Sequence, residues 1–285
     1  MGKSKIYLGQ HADNNRPVCK PFEDSLAQAA KLKMEHIEVG TYYGMYFVAA
    51  LGYEPSLNLW DDPIEYKKKA DAVGIRFSQV DSASPMFEMN GSMHGLLYTT
   101  QAIRYAKDLG ANSVDTTDRG TTADFYTEQY AWDYGVRNYT ELLKWAKNYK
   151  IVINIETHGV FTQKPEFMLK FMKHFDSEWL GINFDTGNTF IAGNDPLEYL
   201  KQVFPYVKQF HIKDIDSGVA AASTGEETGI ATSFIPVGKG ANAKNIEKCL
   251  RYLMEKGWEG DISVECTGED ATVKASVDWI RTIIG

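Results

Sequence analysis

Ile151-Val-Ile-Asn-Ile-Glu-Thr-His-Gly159 decides the fold. Its first five residues are mostly apolar and β-branched, which reads as a buried strand, and its tip carries an acid, a hydroxyl, an imidazole and a glycine. Three later segments share this build: Leu180-Gly-Ile-Asn-Phe-Asp-Thr-Gly-Asn188, Val207-Lys-Gln-Phe-His-Ile-Lys-Asp214 and Asp261-Ile-Ser-Val-Glu-Cys-Thr-Gly268. Each ends in a potential metal ligand, so Glu156, Asp185, His211 and Glu265 occupy equivalent strand ends.

Working outward, the sequence repeats the same unit toward both termini. Strands are expected at residues 5–9, 35–40, 75–80 and 113–117, before the four already quoted. Helices are expected at 22–34, after Asp62-Pro63, and at 92–109, 128–149, 165–175, 196–204, 242–256 and 271–284. Glu23 and Asp24 suit the first helix start, since carboxylates favour the positive end of the helix dipole.

Strict alternation of short, apolar, non-alternating strands with helices is the mark of a parallel sheet covered by helices. Eight such units close a barrel, so the expected architecture is α/β, a single (β/α)8 TIM barrel forming one domain over residues 1–285. A doubly wound open sheet is the alternative, but it gives no reason for ligands on four successive strand ends. No Gly-x-Gly-x-x-Gly follows the first strand. One segment breaks the rhythm, the Gly-, Ser-, Thr- and Ala-rich stretch 216–240 after strand seven, expected to lie as a long loop over the barrel mouth.

Composition narrows the function. A net charge of −8 and a pI near 5.3 argue against a nucleic-acid partner, which calls for clustered Lys and Arg. The three cysteines, Cys19, Cys249 and Cys266, are few, widely spaced and odd in number, which implies no disulfide framework and fits a cytoplasmic location. Neither a signal-peptide apolar region nor an 18-residue apolar run is present. Gly2 is followed at the sixth position by Ile6 rather than Ser or Thr, so neither a lipid anchor nor a membrane partner is expected.

Strand ends of a closed barrel converge although they are distant in sequence. Three carboxylates and one imidazole would make a hard, oxygen-rich site for one divalent metal, Mn²⁺ first, with Mg²⁺ or Co²⁺ possible. A lone carboxylate at a strand end is more often a helix cap; four in matching positions point to a metal. His158 lies two residues beyond Glu156, on the same face by the strand period, where an imidazole could serve as a base near neutral pH. Its alternative is a backbone hydrogen bond at the rim.

The segments Ile-Glu-Thr-His-Gly, Phe-Asp-Thr-Gly-Asn, Phe-His-Ile-Lys-Asp and Val-Glu-Cys-Thr-Gly resemble the xylose-isomerase-like barrel superfamily, the sugar phosphate isomerase/epimerase group. The resemblance implies a metal set of Glu156, Asp185, His211 and Glu265, proton removal beside a sugar carbonyl, and Glu156 and Glu265 as an acid/base pair. Ketose 3-epimerases usually carry a histidine three residues after the sixth-strand Asp; here Asn188 stands there. The related three-zinc AP endonucleases need many histidines, and this chain has six, of which His36 lies at the entry of a strand and His174 within a helix. That nuclease reading is therefore disfavoured.

Asn188 and Gly-Glu-Glu-Thr-Gly-Ile in the long loop are similar to the branch of inosose dehydratase-like proteins and C-glycoside deglycosidase catalytic subunits. This implies β-elimination from a 3-oxo-glycoside, with epimerisation or isomerisation of a ketose as the alternative. The expected partners are a small-molecule sugar or glycoside and an oligomer, with a small second subunit implied by the branch. Lys213, Asn188 and Arg119 are the substrate-binding candidates, each with a structural salt bridge or hydrogen bond as its alternative. The aromatic stretch Tyr42, Tyr43, Tyr46 and Phe47, with Tyr53 and Trp60, could stack on a sugar or cover an oligomer interface.

Overall fold

The computed structural model describes residues 4–18, 20–43, 55–118, 123–229 and 231–285. Tyr46, Phe47, Tyr53 and Arg119 lie outside the described residues. Eight strands form the barrel: β1 (Lys5–His11), β2 (His36–Tyr42), β3 (Arg76–Pro85), β4 (Ser113–Thr117), β5 (Val152–Glu156), β6 (Leu180–Asp185), β7 (Val207–Ile212) and β8 (Glu259–Val264). Every neighbouring pair is parallel, and β1 pairs with both β8 and β2, which closes the ring. A two-residue strand, Leu57–Asn58, adds to the outer end of β2 at Thr41 and Tyr42.

The strands expected to be non-alternating in fact alternate. In β5 Ile153 and Ile155 are followed by Asn154 and Glu156; Ile182 and Phe184 interleave with Asn183 and Asp185, and Ile262 and Val264 with Ser263. All are buried. The apolar set faces the helices, where the Phe184 ring meets Tyr199 edge-on at 5.5 Å. The polar set faces the bore: Asn154 Nδ2 donates to Gln79 Oε1 across from β5 to β3 at 2.6 Å, and Gln209 Nε2 donates to Glu38 Oε2 at 3.1 Å. Burial on both faces hides the period, because the inner face is packed but polar.

Helices α1 (Phe22–Lys31), α2 (Pro63–Ala72), α3 (Leu96–Leu109), α4 (Glu128–Tyr149) and α5 (Pro165–Phe175) follow β1 to β5 in turn. Their starts obey local chemistry: the Asp62 side chain accepts from the N–H of Ile64 ahead of Pro63, and Thr127 from that of Tyr130. A buried aromatic cluster, with Phe87 tilted against Tyr139 and Phe171 and edge-on to Phe167, anchors α4 and α5 to the barrel. Truncating Phe171 to alanine there costs about 3–5 kcal/mol.

Four features depart from expectation. The polar segment after β1 is a 3-10 helix, Ala12–Val18. A π-helical turn, Gly91–Gly95, precedes α3, which begins at Leu96 rather than residue 92. A short helix, α6 (Thr186–Ile191), starts directly at the tip of β6 before the expected α7 (Pro196–Val203). The long loop contains α8 (Ser217–Ser223), after which α9 (Ala243–Glu255) and α10 (Asp270–Ile284) complete the ring.

That loop is fastened at both edges. The Asp214 carboxylate accepts the N–H groups of Gly238, Gly240 and Asn242. Gly159 N–H donates to Thr228 O at 2.8 Å, and Gly229, at φ +68°, passes so close to Asn188 that a Cβ would meet its carbonyl at 2.4 Å. Glycine is required there on both grounds. The loop thus lies over the strand tips. Among the described residues no helix is long and apolar enough to cross a membrane.

Candidate metal centre

Glu156 and Asp185 end β5 and β6, His211 is the penultimate residue of β7, and Glu265 is the first residue past β8. Register sets Asp185 directly beside His211, and pairs Glu156 with Asn183 and His211 with Ser263. Asp185 therefore stands two residues further along than Glu156, and Glu265 two further than His211, each one inward-facing step toward the mouth. One ligand atom from each of the four residues lies within 4.8 Å of the others.

The four are held from outside the cluster. Asp185 Oδ1 accepts from the N–H groups of Gly187 at 2.7 Å and Asn188 at 2.9 Å, capping α6. Its other oxygen is buried and accepts no hydrogen bond among the described residues, as is Glu265 Oε2. The Lys213 ammonium lies 3.2 Å from Asp185 Oδ2 and 2.9 Å from Glu265 Oε1. His211 Nδ1 faces Glu156 Oε1 at 3.2 Å and Glu265 Oε2 at 3.4 Å.

Burial of this many acids distorts their protonation. Burial, with Lys213 opposing it, raises the Asp185 carboxyl to about 7. Burial works the same way on Glu265 but is outweighed by Lys213 and His211, which hold that carboxyl well below its usual range. Glu156 is likewise held low, by His158 and His211 against its burial. Burial alone would lower the His211 imidazole; Glu38, Glu156 and Glu265 raise it well above its usual value.

Three carboxylates, Glu156 and Asp185 buried and Glu265 at the partly open edge, converge on one point with the Lys213 ammonium at its side, a concentration of negative charge that suits a further cation. Two of their buried oxygens, Asp185 Oδ2 and Glu265 Oε2, are met by the ion-pair contacts of Lys213 and His211 and by no hydrogen bond among the described residues, and the donor set is three carboxylates and one imidazole nitrogen. These residues fit a divalent metal of the oxygen-preferring kind.

Three further sequence candidates, His158, Asn188 and Lys213, touch the cluster. His158 reaches the cluster, with Nδ1 2.9 Å from Glu156 Oε2, but not by the strand period. β5 stops at Glu156, and the chain folds back so that His158 N–H donates to Glu156 O at 2.8 Å, while Asp118 N–H donates to His158 O. Asn188 is buried between Lys213 Nζ, 3.1 Å from its Oδ1, and Glu156 Oε1, 3.4 Å from its Nδ2. Lys213 is wedged between Asp185 and Glu265. Tyr43 and Trp60 are exposed and meet edge-on at 5.5 Å.

Sequence reading missed the groups beneath and beside the cluster. Glu38 on β2 meets His211 Nε2 at 2.9 Å. Asn183 Nδ2 donates to Asp115 Oδ2 at 3.0 Å, and the His11 ring meets that of His211 edge-on at 5.9 Å. His11 Nε2 lies 3.5 Å from Asp81 Oδ2. The signal that could have found the bore-facing ones is the polar residue at every second strand position.

The fold recurs in known structures. A D-tagatose 3-epimerase-like protein superposes with a TM-score of 0.75 at 19% identity, covering 98% of this chain and 97% of that one. The IOLI protein with a bound zinc atom gives 0.75 at 15% identity over 98% of both chains. At the sequence level, inosose dehydratase from Clostridium botulinum (strain Eklund 17B / Type B) is 28% identical over 112 residues, 38% of this chain and 37% of that protein. The chain spans about two fifths of the length of the curated relatives it matches first. The profile of the xylose isomerase-like TIM barrel family matches residues 26–283, and the chain belongs to that family.

Proposed function

We propose that this barrel removes a proton beside the carbonyl of an oxidised sugar or glycoside and expels the substituent one carbon further on, an elimination of the kind implied for a 3-oxo-glycoside. The observation that carries this reading is the pairing of His158 with Glu156. Nδ1 is engaged by the carboxylate at 2.9 Å, Nε2 makes no hydrogen bond among the described residues, and the side chain is 28% exposed at the mouth. Burial lowers the imidazole's proton affinity, but Glu156 outweighs it and raises the pKa above its ordinary value. The side chain's exposure at the mouth, with Nδ1 braced by Glu156, leaves Nε2 as the atom that would take the substrate's proton.

Glu156, Asp185, His211 and Glu265 would hold one divalent metal, with Mn²⁺ the first choice. When bound, it supplies Lewis-acid stabilisation of the negative charge that develops on the carbonyl oxygen as the proton leaves. Lys213 and Asn188, buried beside the cluster, would orient the substrate's oxygens, and Arg119, two positions past β4 in the sequence, is proposed as a further clamp.

The alternative, inversion at one carbon of a ketose, needs an acid and a base on opposite faces, the roles proposed for Glu156 and Glu265. The 2.9 Å contact between Lys213 and Glu265 works against it, because the ammonium stabilises the carboxylate and weakens it as a base. Elimination needs one base, and His158 supplies it. The name inosose dehydratase, carried by a relative over part of this chain, agrees with elimination from a keto ring.

The test is to strip the protein with EDTA, add back Mn²⁺, Mg²⁺, Co²⁺ or Zn²⁺, and assay 3-oxo-glycosides against free ketoses. Metal-dependent release of the C1 substituent is expected. Ketose epimerisation without release moves the role to the two glutamates, and no turnover of any keto sugar with any of these metals overturns the proposal.

A further inference from the structure

The bore holds one more carboxylate that touches the cluster from below. Glu38, in the middle of β2, is fully buried and faces His211 Nε2 at 2.9 Å, on the opposite edge of the ring from Glu156 and Glu265. Its remaining neighbours all donate. Gln79 Nε2 donates to Oε1 at 2.8 Å, while Gln209 Nε2 and Ser263 Oγ donate to Oε2 at 3.1 and 2.8 Å.

The orientation of the Gln79 amide is itself fixed. Its oxygen accepts from Asn154 Nδ2 at 2.6 Å and from Ser113 Oγ at 2.9 Å, so its nitrogen is the atom left to face Glu38. Five strands, β2, β3, β4, β5 and β7, with Ser263 from β8, therefore contribute to one acceptor placed under one imidazole. An acceptor-only group facing Nε2 holds a proton on that nitrogen. Nδ1 faces the Glu156 and Glu265 carboxylates, so the proton it carries in the metal-free protein is the one a bound metal would displace, leaving the Nδ1 lone pair for the metal.

We infer that Glu38 is a positioning residue that fixes the His211 tautomer, holding Nε2–H so that the Nδ1 lone pair points between Glu156 and Glu265. The inference rests on the metal reading proposed above. A partner that orients an imidazole ligand through its second nitrogen changes metal affinity by about 10–100-fold when removed. Packing alone would not: the isosteric Glu38→Gln fills the same volume but sets an NH₂ group against either Gln79 Nε2 or His211 Nε2, so one donor is left facing another.

Two measurements decide it. Long-range ¹H–¹⁵N spectra of the wild-type protein loaded with diamagnetic Zn²⁺ are expected to show His211 protonated at Nε2 with Nδ1 shifted by the metal; protonation at Nδ1 overturns the inference and requires no variant to fold. Chelator competition with Zn²⁺ and Mn²⁺ is expected to show Glu38→Gln binding about 10–100-fold more weakly than wild type. Equal affinity in a folded Glu38→Gln overturns the role of Glu38 while leaving the metal site standing. Failure of the wild type to bind either ion overturns the metal reading itself, and the inference with it.

Discussion

His158 Nδ1 is joined to Glu156 Oε2 at 2.9 Å, so the proposed base is braced by a carboxylate that also belongs to the metal cluster. The proposed metal binding and proton transfer would then be coupled through one glutamate, which faces His158 with one oxygen and His211 with the other.

Replacing His158 with glutamine separates the two functions. Glutamine can still hydrogen-bond Glu156 but takes no proton, so metal affinity is expected to stay within a few-fold while turnover of a 3-oxo-glycoside falls by about 10²–10⁴. Stopped-flow turnover and metal calorimetry on the same preparation check both halves. Unchanged turnover returns the proton-transfer role to Glu156 and Glu265.

Asp185 is both a cap and a candidate ligand, and asparagine distinguishes the roles. Its amide oxygen can accept the same N–H groups of Gly187 and Asn188, so α6 and the thermal stability of the metal-free protein are expected to be retained. Loss of the anionic oxygen beside Lys213 is expected to weaken Mn²⁺ binding at least about tenfold. Circular dichroism and chelator competition read the two outcomes separately.

The convergence of Glu156, Asp185, His211 and Glu265 is legible in the sequence because four strands each deliver a chemically conspicuous tip. Glu38 is not, although it stands in plain view in His-Ile-Glu-Val: a single acid inside an apolar run carries no mark of what faces it across a closed ring. The clue lay in the set of strands, where Glu38, Gln79, Asn154, Asn183, Gln209 and Ser263 are all polar positions among buried apolar ones. His158 comes back to Glu156 through a turn at Thr157, and not through the pleat that the two-residue strand period predicts. The helix at Thr186–Ile191 was hidden by Asp185 itself, whose role as a potential ligand obscured its role as a cap.

Acid sensitivity follows from Glu38. Burial would raise its carboxyl, but His211 and His11, with the hydrogen bond from Gln79, hold it at about 2 against an ordinary 4.5. A depressed carboxyl contributes stability that is fully present above pH 4.5 and is lost as pH falls toward 2, because the unfolded chain takes up the proton first. For the metal-free protein, the melting-temperature gap between wild type and Glu38→Gln is expected to be widest above pH 5 and to narrow through that window. A gap independent of pH there would show that the ionised carboxylate is not what stabilises the bore.

Cys249 and Cys266 are both buried, the first against the inner face of α9 and the second just past the Glu265 tip. Burial pushes the Cys266 thiol up to about 12, with the hydrogen bond from Ser276 Oγ only partly offsetting it, and raises Cys249 further. Alkylation needs both access and thiolate, and neither is supplied at pH 8 in the folded chain. Iodoacetamide followed by peptide mass analysis is therefore expected to leave both residues unmodified in native protein and to label both fully in 6 M guanidinium. Rapid native labelling of Cys266 would mean that the segment beside Glu265 opens, and with it the edge of the metal cluster that Lys213 and Glu265 form.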